Sequence, residues 1–239
     1  MTWRVGEVVE LARETPHVAT VVLDVPDWPG HRAGQHVDVR LTAEDGYQAQ
    51  RSYSIASAPE DPRVAITVEQ LEDGEVSPYL AGELRPGDAL ELRGPIGGYF
   101  VWEASLGGPL LLVAGGSGVV PLMAMLRHRA AAKSDVPARL LFSSRSWEDV
   151  IFRDELEELA GNGLEVVHTL TRSQPEGWAG YSRRVDAELL HEVAWRPGAG
   201  AQTFVCGPTS FVEAVASGLV DLGHDPATIK TERFGATGG

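Results

Sequence analysis

The sequence predicts two domains, an N-terminal antiparallel six-stranded β-barrel and a C-terminal α/β domain with a doubly wound parallel sheet. Three observations carry this. The first hundred residues hold six short apolar runs separated by turn-formers. After Leu106-Gly107-Gly108-Pro109 the pattern changes to alternating strand-like and helix-like segments. And 239 residues suffice for two domains of about 100–150 residues each. The expected division is 1–103 and 109–239, with a linker at about 104–108.

In the first half the predicted strands are Val5–Leu11, Val18–Val25, His36–Leu41, Gln50–Ala56, Val64–Leu71 and Ala89–Leu92. Pro26-Asp27-Trp28-Pro29-Gly30, Asp45-Gly46, Pro59-Glu60-Asp61-Pro62 and Arg85-Pro86-Gly87-Asp88 supply the turns. His36-Val37-Asp38-Val39-Arg40-Leu41 alternates with period two, as in a sheet with one wet face. In the second half Leu110–Ala114 is a continuous apolar run, fitting a parallel strand buried on both faces. A helix over Val119–Ala132, a strand over Ala138–Phe142 and a helix over Arg153–Ala160 follow. Strands Leu164–Leu170 and Thr203–Cys206 and a helix over Phe211–Leu222 complete the series. A ligand of such a sheet lies at the carboxyl ends of its strands.

Composition excludes several function classes. Net charge is −14, so a phosphate backbone or an anionic membrane surface would be repelled, and neither is an expected partner. The acidity is uneven. Residues 1–103 carry 8 basic and 18 acidic side chains (−10), and 104–239 carry 12 and 16 (−4). Cys206 is the single cysteine, which removes a disulfide framework, a multi-cysteine zinc site and a four-thiolate iron–sulfur cluster; no metal site is expected. A cytoplasmic compartment is expected, since the N-terminus lacks the apolar core of a signal peptide. The charge-free stretch Ala104–Leu126 is long enough for a membrane span, but its glycines and prolines break it, and a strand, a glycine turn and a helix explain it better.

Ala114-Gly115-Gly116-Ser117-Gly118-Val119-Val120-Pro121 follows an apolar strand and opens a helix. Its glycines would let backbone amides approach a pyrophosphate at a helix N-terminus. Pro121 replaces the third glycine of the usual dinucleotide fingerprint, and neither a P-loop nor a serine elbow is present. Arg51-Ser52-Tyr53-Ser54 on a barrel strand offers a phosphate clamp, a stacking ring and a small donor. A tight turn and an ordinary surface strand are the ligand-free alternatives.

Taken in order, Arg51-Ser52-Tyr53-Ser54, Gly74-Glu75-Val76-Ser77 before a short helix, Gly94-Pro95-Ile96-Gly97-Gly98-Tyr99-Phe100, Gly116-Ser117-Gly118 with Pro121, Cys206-Gly207-Pro208 and Glu232-Arg233-Phe234-Gly235 resemble the ferredoxin–NADP reductase family. The resemblance covers essentially the whole chain and implies an FAD-dependent reductase taking hydride from a nicotinamide dinucleotide. It implies that Arg51, with Ser52 beside it, contacts the FAD phosphates, that Tyr53 packs on the isoalloxazine, and that Ser54 sits by flavin N5. Backbone at Thr67 and Val68 would edge the flavin ring. Amides of Gly74, Val76 and Ser77 would receive the FAD pyrophosphate. Gly116, Ser117 and Gly118 would hold the second pyrophosphate, with Pro121 closing the turn. Cys206, followed by Gly207 and Pro208, would lie beside the nicotinamide and Glu232 close to the reacting rings. Phe234 would cover the flavin face where nicotinamide docks. Ser54, Cys206 and Glu232 form the expected catalytic set.

The cofactors expected are therefore FAD and NADPH, with NADH the alternative donor. NADPH is preferred because the second strand of the α/β domain ends Ser144-Arg145 rather than in Asp or Glu, and Arg172 and Arg184 match arginines of NADP-selective relatives. The expected electron acceptor is a separate ferredoxin, flavodoxin or oxygenase component. With one cysteine and an end at the Phe234 motif, any iron–sulfur centre is expected on another protein. Direct reduction of free flavin or ferric chelates, and a non-catalytic flavin-binding interaction subunit, stay open as alternatives. Docking an acidic acceptor on the −10 half would require a basic patch, for which Arg4, Arg13, Arg32 and Arg40 are candidates.

Overall fold

β1 (Trp3–Thr15), β2 (Val18–Asp24), β3 (His36–Thr42), β4 (Gln48–Ser54), β5 (Val64–Glu69) and β6 (Ala89–Ile96) form one antiparallel sheet, in the order β4-β3-β6-β1-β2-β5, in a computed structural model that describes residues 2–234. The outer strands meet. Ile55, one residue past β4, bridges Ile66 of β5, and the Ala56 amide donates to the Ala65 carbonyl at 2.7 Å. The sheet thus closes on an interior filled by Val8, Val21, Leu23, Val37, Ile66 and Leu92. β1 is longer than predicted because register shifts at Val8/Glu10 and Arg13/Thr15 let it bend around the barrel while still pairing with β2.

The wet face expected of β3 is only partly wet. Asp38 is 6% exposed, held by the Ser52 hydroxyl at 2.6 Å and by Arg93 at 2.7 Å. The guanidiniums of Arg40 and Arg93 both lie over the Trp3 ring, 4.2 and 5.0 Å from its centroid. A buried carboxylate there is tolerated because its hydrogen bonds replace those of water.

The second half is a five-stranded parallel sheet. β7 (Leu110–Gly115), β8 (Ala138–Ser144), β9 (Leu164–Leu170), β10 (Gln202–Pro208) and β11 (Ile229–Phe234) are arranged β11-β10-β7-β8-β9. β7 is central and buried along its whole length, as its unbroken apolar run requires. α1 (Val119–Ala131) and α2 (Arg153–Leu159) share a core with Leu112, Leu140 and Phe142 on the sheet face toward the barrel. α3 (Ala187–Val193) and α4 (Thr209–Asp221) pack with Leu111, Val113, Leu141 and Val205 on the other face. The strand order reverses between β7 and β10, which puts the ligand crevice at their carboxyl ends. The charge-free stretch resolves into β7, a 3₁₀ turn over Gly116–Gly118, and α1. No helix among the described residues is long and apolar enough to cross a membrane.

Two elements were not expected from the sequence. α3 has only seven residues, too few to show helical periodicity, although Asp186 caps it by accepting from the Leu189 amide at 2.8 Å. β11 carries Lys230, Glu232 and Arg233 in six residues and does not read as a buried parallel strand; as the sheet's edge it pairs only with β10. Gly235 of the last motif lies outside the described residues.

Candidate functional site at the seam between barrel and parallel sheet

One apolar cluster spans the two halves. Val18, Ala33, Ala56 and Ala65 of the barrel pack with Phe142, Ile151 and Phe152 of the other half. Polar links reinforce it: Arg127 Nη1 donates to the Ala56 carbonyl at 2.7 Å, the Phe152 amide to Glu14 at 3.3 Å, and Lys230 Nζ to the Val101 carbonyl at 3.2 Å. At the mouth of the crevice the Ser117 hydroxyl donates to Glu69 Oε2 at 2.7 Å. Glu69 ends β5, two residues past Thr67, so the barrel strand meant for the flavin edge touches the glycine turn meant for the second nucleotide.

On the barrel side, Arg51 and Tyr53 share a face of β4, and Ser52 points the other way, to Asp38. The Ser52 hydroxyl is thereby engaged in the outer cluster. Arg51 Nη2 donates to Glu75 Oε2 at 2.7 Å, which brings β4 to the Gly74–Ser77 segment. Tyr53 packs against the barrel core, and burial pushes its phenol up to about 12, so it stays a neutral ring. Ser54 closes β4, half-buried. The Thr67 hydroxyl is paired with that of Thr20 at 2.8 Å and Val68 is fully buried, leaving only backbone of this pair for a ligand. Val76 and Ser77 are buried, and the Ser77 hydroxyl accepts from the Leu71 amide at 3.1 Å. The Gly74 amide is already donated to the Leu71 carbonyl at 3.0 Å, and the helix that follows is a five-residue π-turn, Tyr79–Glu83. The expected amide cradle is correspondingly smaller than the sequence implied.

On the other side the glycines differ in kind. Gly116 has φ +54° and a Cβ placed on it would meet nothing within 4 Å. Gly118 is packed so tightly that a Cβ would lie 2.2 Å from the Cys206 carbonyl oxygen. This contact locks the turn to the end of β10, where Cys206, Gly207 and Pro208 pair with Glu232, Arg233 and Phe234 of β11. Pro121 is buried in the first turn of α1. Cys206 is 2% exposed, and burial, with Glu232 beside it, pushes its thiol well above the ordinary range; it is a neutral packing group rather than a nucleophile. Burial also raises the Glu232 carboxyl to about 7, and its Oε2 is buried without a hydrogen-bond partner. Phe234 is 37% exposed at the end of β11.

Beyond β8 and β9, Ser144 is buried with an unpartnered Oγ. The Arg145 carbonyl accepts from the amides of Arg172 at 2.9 Å and Ser173 at 3.2 Å, so the two loops are one unit. The Leu170 amide donates to the Tyr181 carbonyl at 2.9 Å and the Thr169 hydroxyl to the Arg183 carbonyl, which carries Arg184 to the same end of the sheet. Arg145, Arg172 and Arg184 are exposed, and none forms an ion pair among the described residues, whereas Arg183 is engaged by Glu188 and Glu192. Sequence reasoning missed Glu69 and Tyr47, and treated Glu75 only as part of a motif. Their roles arise from contacts across 24 to 48 positions.

A closed barrel joined to a doubly wound sheet, with an unpartnered carboxylate and an open glycine at the crevice and exposed arginines beyond the neighbouring strands, fits a class: two-domain oxidoreductases that bind a flavin and a nicotinamide dinucleotide. Residues 6–101 match the family model of the oxidoreductase FAD-binding domain and residues 112–217 that of the oxidoreductase NAD-binding domain. The chain is 38% identical over 212 residues to ferredoxin–NADP reductase B of Sorangium cellulosum, covering 84% of each chain. It is 33% identical over 247 residues to the glycine betaine monooxygenase reductase subunit of Chromohalobacter salexigens, covering 99% of this chain and 66% of that protein, so it spans just under two thirds of this relative. The flavohem-like FAD/NAD binding domain of nitric oxide dioxygenase from Vibrio cholerae superposes with a TM-score of 0.85 at 26% identity, covering 97% of this chain and 98% of that one. The chain belongs to the ferredoxin–NADP reductase family and is an FAD- and NAD(P)-binding oxidoreductase.

Proposed function

We propose that this chain takes hydride from NADPH through bound FAD and passes the electrons to a separate acceptor protein, a ferredoxin, a flavodoxin or an oxygenase component. The observation that carries it is the seam itself: β5 and the Gly116–Gly118 turn are in hydrogen-bond contact, so two dinucleotides seated on them meet at one crevice. The division into 1–103 for FAD and 109–239 for NADPH follows the two sheets. The names of relatives support the acceptor class, one being a ferredoxin–NADP reductase and another the reductase subunit of a monooxygenase.

Flavin and nicotinamide supply the hydride chemistry when bound, and the protein supplies position and electrostatics. Arg51, whose half-exposed guanidinium is held by Glu75, would bind phosphate. Tyr53, held against the barrel core, gives a flat neutral face, and Ser54 gives a small donor at the strand's end. Gly116 leaves open space for close approach of a phosphate to the start of α1. Cys206 shapes the pocket floor. Glu232, with a carboxyl near neutrality, holds a proton or a charge beside the rings according to pH. Phe234, at the end of β11, would cover the flavin face and would have to move for the nicotinamide to dock.

The choice of NADPH rests on Arg145, Arg172 and Arg184, three cations without a carboxylate partner among the described residues, in the loops beyond β8 and β9. They suit a 2′-phosphate. The basic patch considered for acceptor docking is partly neutralised. Arg40 pairs with Glu91 at 2.7 Å and Arg32 with Glu103 at 3.7 Å. The deciding experiment is direct. The purified protein is expected to be yellow with FAD, and to oxidise NADPH faster than NADH with ferricyanide and with a panel of ferredoxins. A colourless protein that ignores added FAD would end the proposal.

A further inference from the structure

At both phosphate seats of the proposed reductase the donor side chain is bonded to a carboxylate of the chain itself. Glu75 Oε2 accepts from Arg51 Nη2 at 2.7 Å, and its Oε1 accepts from the Tyr47 hydroxyl at 2.7 Å. Glu69 Oε2 accepts from the Ser117 hydroxyl at 2.7 Å. A guanidinium or a hydroxyl offers the same donors to a carboxylate as to a phosphate oxygen, so each glutamate occupies the place that a diphosphate would need.

We propose that Glu75 and Glu69 are internal competitors for the two diphosphates, so that each dinucleotide binds by displacing an anion of the barrel. The inference rests on the reading of Arg51 and Ser117 given above.

Three features separate the Arg51–Glu75 contact from a structural ion pair, and the third applies to Glu69 as well. First, Arg51 and Glu75 are each about half-exposed, 52% and 48%, which makes their pairing weak and readily exchanged. The side chain of Asp38, the partner of Arg93, is by contrast only 8% exposed and also bonded to Ser52. Second, Glu75 is kept ionised. The Tyr47 hydroxyl and then Arg51 hold its carboxyl below the ordinary range, so it remains an anion at neutral pH. Third, both glutamates stand on the half of the chain that carries −10, where each further negative charge opposes an incoming diphosphate. The functional consequence lies in exchange. When an oxidised dinucleotide leaves, Glu69 retakes Ser117, and when FAD leaves, Glu75 retakes Arg51, which favours release over tight retention.

The test uses apoprotein titrated with FAD, and holoprotein titrated with NADP⁺ and NAD⁺. Glu75→Gln is expected to lower the Kd for FAD by about two- to fivefold, the range spanned by exposed ion pairs, and the gain should shrink in high salt. Glu75→Ala should act in the same direction, which separates lost charge from a new amide contact. Glu69→Gln should lower the Kd for the nicotinamide dinucleotide by a similar factor and leave that for FAD unchanged. Unchanged or weaker FAD binding in both Glu75 variants would overturn the proposal, because Glu75 would then be propping Arg51 in place. Arg51→Ala, measured alongside, keeps the two ideas apart. If it leaves the FAD Kd unaltered, the flavin assignment of Arg51 falls; if it weakens binding while Glu75→Gln does not strengthen it, only the competition falls.

Discussion

The barrel face and the parallel-sheet face of the crevice are built from different materials. The barrel offers long, exposed side chains, Arg51 above all, whose partners are other flexible side chains. Apart from the exposed arginines of its loops, the parallel sheet offers backbone and buried groups: a glycine turn pressed on Cys206, a buried thiol, and a carboxyl whose pKa is set by burial. The difference teaches where mutation should register. Changes on the barrel face should move affinity and leave the fold alone, while changes on the other face should move stability as well.

The largest effect is expected at Glu232. Its carboxyl titrates at about 7 when folded against 4.5 for an ordinary glutamate, so a raised acid pKa makes folding less favourable as pH rises between those values. Below about 4.5 both states are protonated and the cost is absent; above about 7 it is complete, on the order of 3 kcal/mol. Denaturant curves across that window should show the native protein losing stability relative to Glu232→Gln. Parallel curves would show that Glu232 is solvated. Next comes Gly118→Ala, whose methyl would press on the Cys206 carbonyl and Gly207 amide, backbone that has nowhere to go. A loss of about 1–3 kcal/mol is expected by thermal denaturation, against about 1 kcal/mol for Gly116→Ala, where only the positive φ is at fault. Equal losses at the two glycines would erase the distinction drawn between them.

On the barrel face Arg51→Ala should leave the apoprotein's melting temperature unchanged while FAD affinity falls about ten- to hundredfold. A fall in melting temperature comparable to that of Gly118→Ala would break the comparison. The smallest change is expected at Arg145, an exposed group on the loops of the parallel sheet. Arg145→Ala should raise KM for NADPH about tenfold and leave KM for NADH nearly unchanged, because only the former carries a 2′-phosphate. Equal changes for both donors would remove the argument for NADPH.

Much of the fold was legible because its signals are local. The barrel strands were separated by turns rich in Gly, Pro and Asp, and the run Leu110–Ala114 is apolar enough to require burial on both sides. The bulged length of β1 was not legible, since a bulge depends on the partner strand's path. Nor was β11, whose charges are tolerated only at an edge. At the candidate site, the ordered motifs were readable, but the direction of Ser52 was not. Its neighbours Asp38 and Arg93 lie 14 and 41 positions away, and the strand's period, not its composition, turns it outward.

The sequence alone determined the two-sheet architecture, the order of the motifs and the excess of negative charge in the first half, because turn chemistry, apolar periodicity and composition act over a few residues. Only the tertiary structure decided that Glu69 meets Ser117 across 48 positions, that Glu75 sits on Arg51, and that Glu232 is buried enough to titrate near neutrality. Those are properties of two closed surfaces pressed together, and hydration and pairing at such a junction follow from what surrounds a group in space, not from what adjoins it in the chain.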